Sequence, residues 1–324
     1  MDIVSRSRVL RLPLAKVLQS FFWMRSSWPV WFSILNRRSR HLFTNARINL
    51  SLHEKKIVDT LAKEGIAVTH LDELFPGENM LSLLQAYAED LTKSAEVKTQ
   101  KSFLKYYWDP YPLLDLQNPY LALVLSPRIL AIVNSYFRMY TKFYYFTLNL
   151  TLPVSEGAEA VQSQRWHRDP EDKKMCKIFI YLNDVDEGAG PFMYIRGSQY
   201  GGKWSNIYPQ RPPKGSYPPA GAIERIILQD DINVSTGRAG TVIFCDTGGL
   251  HKGGYATRRE RLMFTGGFYS PASVRALRFK YSASLKNDLA KLSDEARFAL
   301  TPPEKKFSSL LFYKFKKYFS GDYE

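Results

Sequence analysis

Between Lys142 and Ser270 the chain breaks into short β-favouring runs punctuated by Gly, Pro, Asn and Asp. The runs are FYYFTLNLTL, VQSQRWHRD, CKIFIYL, FMYI, ERIIL, TVIFCD, GLHKGGY and RLMFTGGFY. Strands this short, with turn residues between them and no intervening helical pattern, argue against βαβ units and predict a sandwich or jelly roll. Both flanks read as helical. Residues 53–64 place Ile57, Leu61 and Ala62 at helical spacing, and 79–92 form a second candidate behind Asn79. Ser126-Pro127 supplies a cap and a first-turn proline for a third helix ending near Phe137. Residues 284–298 and Lys305–Phe319 are helical candidates after the β region. The expected fold is therefore mainly β with flanking helices (α+β). It comprises a basic aromatic extension over 1–50, a β-core domain with N-terminal helices over 51–275, and a helical basic tail over 276–324. Residues 199–224, rich in Gly, Pro, Tyr and Trp, exceed a normal turn, and a long loop in a compact domain is often functional.

Chemistry enters at Gln164-Arg165-Trp166-His167-Arg168-Asp169. In an extended segment, side chains two apart share a face, so His167 and Asp169 can reach one point inside a barrel. A His-x-Asp tripeptide alone also describes a surface histidine beside an acid. The chain holds only five histidines, however, and His251 follows the run TVIFCD and the turn Thr247-Gly248-Gly249, where a third ligand would have to come from. Two histidines and one carboxylate suit non-haem Fe(II), because three positions remain for cosubstrate and oxygen. Arg261 lies ten residues beyond His251, at the start of a strand. A guanidinium there suits a distal carboxylate such as that of 2-oxoglutarate. Arg258, Arg259 and Arg261 cluster, so Arg259 is the reserve for that role, and solvated arginines at a strand end are the bland alternative.

The stretch WHRDPEDKKMCKIFIYLNDVDEGAGPFMYIRGSQ resembles the core of phytanoyl-CoA dioxygenase-like proteins. In that family His-x-Asp is followed by a strand, a D-V-D-x-x-x-G-P turn, a second strand and a P-G-S-H corner. Here the turn is Asp184 to Pro191, and the corner departs from the pattern as Arg196-Gly197-Ser198-Gln199. The block GTVIFCDTGGLHKGGYATRRERLMFTGGFYS is similar to the family's distal-histidine strand and 2-oxoglutarate-binding arginine. The resemblance spans roughly residues 55–270 and fades at both ends. It implies a double-stranded β-helix (jelly-roll, cupin-like) core and iron held by His167, Asp169 and His251. It also implies Fe(II), 2-oxoglutarate and O2 as cofactor and cosubstrates, with Arg261 on the far carboxylate and Asn149 as a polar contact to 2-oxoglutarate. The carboxylate of Asp169 points to hydroxylation or another oxidation, since related halogenases carry Ala or Gly at that position. A small-molecule, lipid or lipid-linked substrate follows from the same resemblance. A cupin-type metal protein without 2-oxoglutarate chemistry would share the three ligands but not need Arg261.

The formal net charge of +14 is concentrated at the ends. Residues 1–50 hold nine basic residues against one acid, Asp2, beside Phe21, Phe22, Trp23, Trp28, Trp31 and Phe32. Basic residues around an aromatic face suit an anionic membrane interface, whereas packing of both termini on the β-core is the competing expectation. No nucleic-acid-binding signature accompanies the charge, which argues against a nucleic-acid partner. Cys176 and Cys245 lie apart in apolar runs, so a disulfide framework is not expected and a reducing, cytoplasmic setting is. No stretch reaches the roughly 18 uninterrupted apolar residues of a membrane span. The residues say nothing about oligomeric state.

Overall fold

The computed structural model describes residues 17, 19–94, 98–101, 103–155, 157–210, 215–273, 275–281 and 288–302. Its helices are α1 (Arg37–Asn45), α2 (Leu52–Glu64), α3 (Leu71–Leu74), α4 (Met80–Ser94), α5 (Pro119–Val124), α6 (Pro127–Phe137) and α7 (Asp294–Leu300). The strands are β1 (Ile66–His70), β2 (Lys98–Lys101), β3 (Leu104–Tyr106), β4 (Leu113–Leu114), β5 (Lys142–Thr151) and β6 (Met175–Tyr181), followed by β7 (Phe192–Ile195), β8 (Ile232–Ser235), β9 (Thr241–Cys245), β10 (His251–Lys252), β11 (Arg261–Tyr269) and β12 (Lys280–Tyr281). One large antiparallel sheet runs β1-β9-β6-β11-β5-β3-β2, a small one runs β10-β7-β8, and β12 pairs parallel with β4.

Strand alternation explains how two layers form. On β6, Cys176, Ile178 and Ile180 join the main core with Ile57 and Leu61 of α2, Leu84 of α4, and Ile129 and Val133 of α6. Their neighbours Phe179 and Tyr181 turn the other way, clustering with Phe192 and Tyr194 of the small sheet. The large sheet is thus buried on both faces, under helices on one side and the small sheet on the other. This is the jelly-roll arrangement with flanking helices that the residues predict.

Local chemistry sets the helix ends. Ser51 Oγ accepts from the Glu54 amide while the Glu54 carboxylate accepts from the Ser51 amide, closing a capping box ahead of α2. The helix stops at Gly65, whose φ of +78° favours glycine and where a Cβ would lie 2.2 Å from Tyr194 Oη. Ser126 caps α6 with Pro127 in its first turn, as expected.

Several expectations need correction. VQSQRWHRD is not a regular strand: a 3-10 turn occupies Gln162–Gln164, and two isolated bridges, His167 to His251 and Arg168 to Ser216, supply the pairing. ERIIL is a turn, because Ile223 and Ile227 are buried one helical repeat apart while Ile226 and Leu228 are exposed. Strands β1 and β8 arise in segments not read as extended, and helix is confined to Asp294–Leu300 where 284–298 was expected, with 282–287 outside the described residues. The expected helix Lys305–Phe319 also lies outside them.

The described part of the basic extension packs on the core. Phe22, Arg25 and Trp31 are buried, and Trp31 Nε1 donates to Asp172 Oδ1 at 2.6 Å. Trp28 stacks on Phe32 and on Tyr200, with centroids 4.7 and 5.3 Å apart. Trp23 and Met24 face outward. Among the described residues, no helix is long and apolar enough to cross a membrane.

Candidate metal centre

The site grows from one backbone contact. His167 and His251 exchange both amide hydrogen bonds, at 2.9 and 3.0 Å, so their side chains stand directly opposite each other. Their ring centroids are 4.2 Å apart. Asp169, two residues on and held by its amide to Thr247 O at 2.9 Å, returns to the same face. Its carboxylate lies 3.8 Å from His167 Nε2 through Oδ1 and 3.7 Å from His251 Nε2 through Oδ2. One donor atom from each residue falls within 4.8 Å of the others.

The tautomers follow from the other ring nitrogens. His167 Nδ1 is 2.8 Å from Arg165 O, and His251 Nδ1 is 3.0 Å from Gly249 O. A carbonyl only accepts, so each Nδ1 carries the proton and each Nε2 presents a lone pair to the centre. Burial, reinforced by His167, pushes His251 down to about 3, so its ring is neutral at physiological pH. Burial pushes the Asp169 carboxyl up, but Lys177, His251 and His167 outweigh it and hold the group well below the ordinary range. The three donors fit a divalent cation, with one anionic oxygen and two imidazole nitrogens converging from one backbone bridge.

Arg261 opens β11 with its side chain on the inner face, buried. Its Nη1 donates to Gly190 O at 2.5 Å and its Nη2 to Thr151 Oγ1 at 3.2 Å, while Nε has no partner. Among the described residues no carboxylate pairs with it. Arg259 is different, being exposed and paired with Asp186 at 3.4 Å on the surface. Alternation therefore sends 261 inward, and the surface pairing of Arg259 keeps it out of the site. Asn149 sits on β5 opposite Met263, donating to Thr147 Oγ1 at 3.2 Å and leaving Oδ1 buried without a partner. The remaining histidines serve elsewhere: His41 with Asn45, His53 with Thr69, and His70 at the start of α3.

Three residues near the centre escaped the sequence reading. Lys177, on the inner face of β6, places Nζ 2.5 Å from Asp169 Oδ2. Burial pushes this ammonium down, yet Asp169 more than compensates and keeps it charged. Its signal was present: it is the one charged residue in the apolar run MCKIFIY. Tyr217 stacks on the His167 ring, 5.3 Å between centroids and 10° from parallel. Arg168, pointing opposite to the ligands, is fully buried and donates to Ser198 O, to Gly248 O at 2.8 Å, to Trp204 O at 3.1 Å and to Ile207 O at 2.9 Å. It ties the ligand segment to the turn before His251 and to the loop after β7.

A cleft of about 520 Å³ includes Met193, Val234, Lys252, Pro191 and Tyr255. Met193 and Lys252 alternate with Tyr194 and His251, so this cleft backs the small sheet rather than forming the metal cavity.

No protein-family model matches the chain, and no curated protein matches it. Among solved structures it is similar to the epimerase SnoN in complex with Fe3+, α-ketoglutarate and nogalamycin RO, at 15% identity and a TM-score of 0.49, covering 69% of this chain and 86% of SnoN. It is similar to EctD from S. alaskensis with bound Fe, at 15% identity and a TM-score of 0.47, covering 72% of this chain and 88% of EctD. It is also similar to HygX from Streptomyces hygroscopicus with nickel and 2-oxoglutarate bound, at 15% identity and a TM-score of 0.47, covering 68% of this chain and 88% of HygX.

Proposed function

We propose that the chain is an Fe(II)- and 2-oxoglutarate-dependent oxygenase of the phytanoyl-CoA dioxygenase-like type, hydroxylating an aliphatic carbon of a small-molecule, lipid or lipid-linked substrate. The observation that carries this reading is the pair of Nε2 lone pairs facing the Asp169 carboxylate across one backbone bridge. His167, Asp169 and His251 would hold the iron, which would supply oxygen activation coupled to oxidation of 2-oxoglutarate. The chain's own residues do the rest. The carbonyls of Arg165 and Gly249 fix the imidazole tautomers. Arg261 offers a buried guanidinium to the far carboxylate of 2-oxoglutarate, and Asn149 would contact the cosubstrate through its amide nitrogen, which here donates to Thr147 Oγ1. Phe192 packs against His251, centroids 5.6 Å apart, and keeps water from that side.

A cupin-type metal protein would need Arg261 only for its hydrogen bonds to Gly190 and Thr151. A buried guanidinium without a carboxylate is costly unless a ligand completes it. The test is anaerobic addition of 2-oxoglutarate to the Fe(II)-loaded protein, followed by exposure to oxygen. A visible metal-to-ligand charge-transfer band and succinate release are expected, and His251→Ala should lose both. Normal iron binding and turnover by that variant would overturn the ligand set.

A further inference from the structure

Among the described residues, the inner face of the large sheet and its rim hold more cations than carboxylates. Glu171 is paired with Arg275 at 2.8 Å. That leaves Lys177 and Arg261 facing the interior, with Asp169 paired to Lys177 and Arg261 on the Gly190 carbonyl. Lys177 pairs in register with Gly267 near one end of β11, while Arg261 opens the other end. The space for Lys177 is built. A Cβ at Gly267 would lie 2.1 Å from Tyr145 Cε1, so the glycine admits the Tyr145 ring, whose centroid is 5.9 Å from Lys177 Nζ.

Lys177 sits on Asp169 Oδ2, the same oxygen that lies 3.7 Å from His251 Nε2. An ammonium and a divalent cation therefore draw on one carboxylate. With a dication shared among His167, Asp169 and His251, the like charge of Lys177 would be repelled at close range in a largely buried site. An anion bound at the dication removes that repulsion by pairing with the ammonium. An α-keto acid carries such an anion in its metal-chelating carboxylate.

We propose that Lys177 is a cosubstrate-binding residue, contacting the metal-chelating carboxylate of the keto acid and thereby coupling metal binding to anion binding. This assignment rests on the oxygenase reading above.

The experiment is calorimetric titration of Ni(II) into the full-length protein, with and without 2-oxoglutarate, for wild type, Lys177→Met, Lys177→Gln and Lys177→Arg. In wild type, 2-oxoglutarate should tighten Ni(II) binding by about tenfold or more, a coupling of ordinary allosteric size. In the two neutral variants Ni(II) alone should bind at least as tightly as in wild type, and the tightening should fall below about threefold because one partner of the coupling is gone. Lys177→Arg should keep it. The two neutral replacements guard against one failing to fold. Undiminished coupling in either neutral variant would overturn the Lys177 assignment while leaving the oxygenase reading intact. Wild-type Ni(II) affinity indifferent to 2-oxoglutarate would overturn both.

Discussion

Arg261 and Arg259 stand two residues apart on the chain, and their surroundings give opposite expectations. Arg261→Ala should weaken 2-oxoglutarate binding by roughly 2–5 kcal/mol, the cost of removing one member of a buried charge pair. Arg259→Ala breaks only an exposed pair with Asp186, a contact worth about 1 kcal/mol or less, so cosubstrate affinity should be unchanged. Titration of 2-oxoglutarate into the metal-loaded variants checks both, and a larger defect at 259 would contradict the observed register of β11. The sequence could narrow the choice to a cluster of arginines. The start of the strand decided between them: Arg261 opens β11 and shares the inner face with Met263 and Thr265, whereas Arg259 precedes the strand and pairs with Asp186 at the surface. Lys177 teaches the same point from the other direction. A lysine in MCKIFIY looks like an edge-strand charge, but β6 is central, so its ammonium ends on Asp169.

At the level of elements, the π-helical turn Pro29–Leu35 is fastened to the β-core through one buried carboxylate. Asp172 accepts from Trp31 Nε1 at 2.6 Å, from the Lys173 amide at 2.8 Å and from the Ser270 amide at 2.7 Å. Burial raises its carboxyl from 3.8 to about 6, against the pull of Ser270 and Arg25. Because the folded value lies above the unfolded one, the stability contributed by this group is complete below about pH 4 and is lost as pH rises through about 6. Above that, the donors to the ionised carboxylate matter most. Trp31→Phe should therefore destabilise the fold by about 1–3 kcal/mol at pH 7 and by less at pH 4, measured by denaturant unfolding at the two values. Equal losses at both would show that the indole N–H is indifferent to the charge on Asp172.

For the whole molecule, the described part of the basic extension is structural. Removing residues 1–50 takes Phe22 and Trp31 out of the interior, about 1.5–3 kcal/mol of apolar burial for each, before any hydrogen bond is considered. The truncated protein should unfold at least about 5 °C lower, as followed by circular dichroism, or fail to accumulate as folded protein. An unchanged melting temperature would mean that these aromatics contribute nothing to the core. The residues by themselves determined the class of fold and the ligand candidates, because both depend on short-range periodicity. Alternation in FMYI and RLMFTGGFY, the cap at Ser126 and the two-residue step from His167 to Asp169 are local geometry. Tertiary structure alone decided what those segments face. It put His251 directly across from His167, turned Arg261 inward and Arg259 outward, set Lys177 on Asp169, and carried Trp31 across the chain to Asp172. Each of these joins residues distant in sequence, and such pairings depend on strand order and register, which periodicity within a segment does not encode.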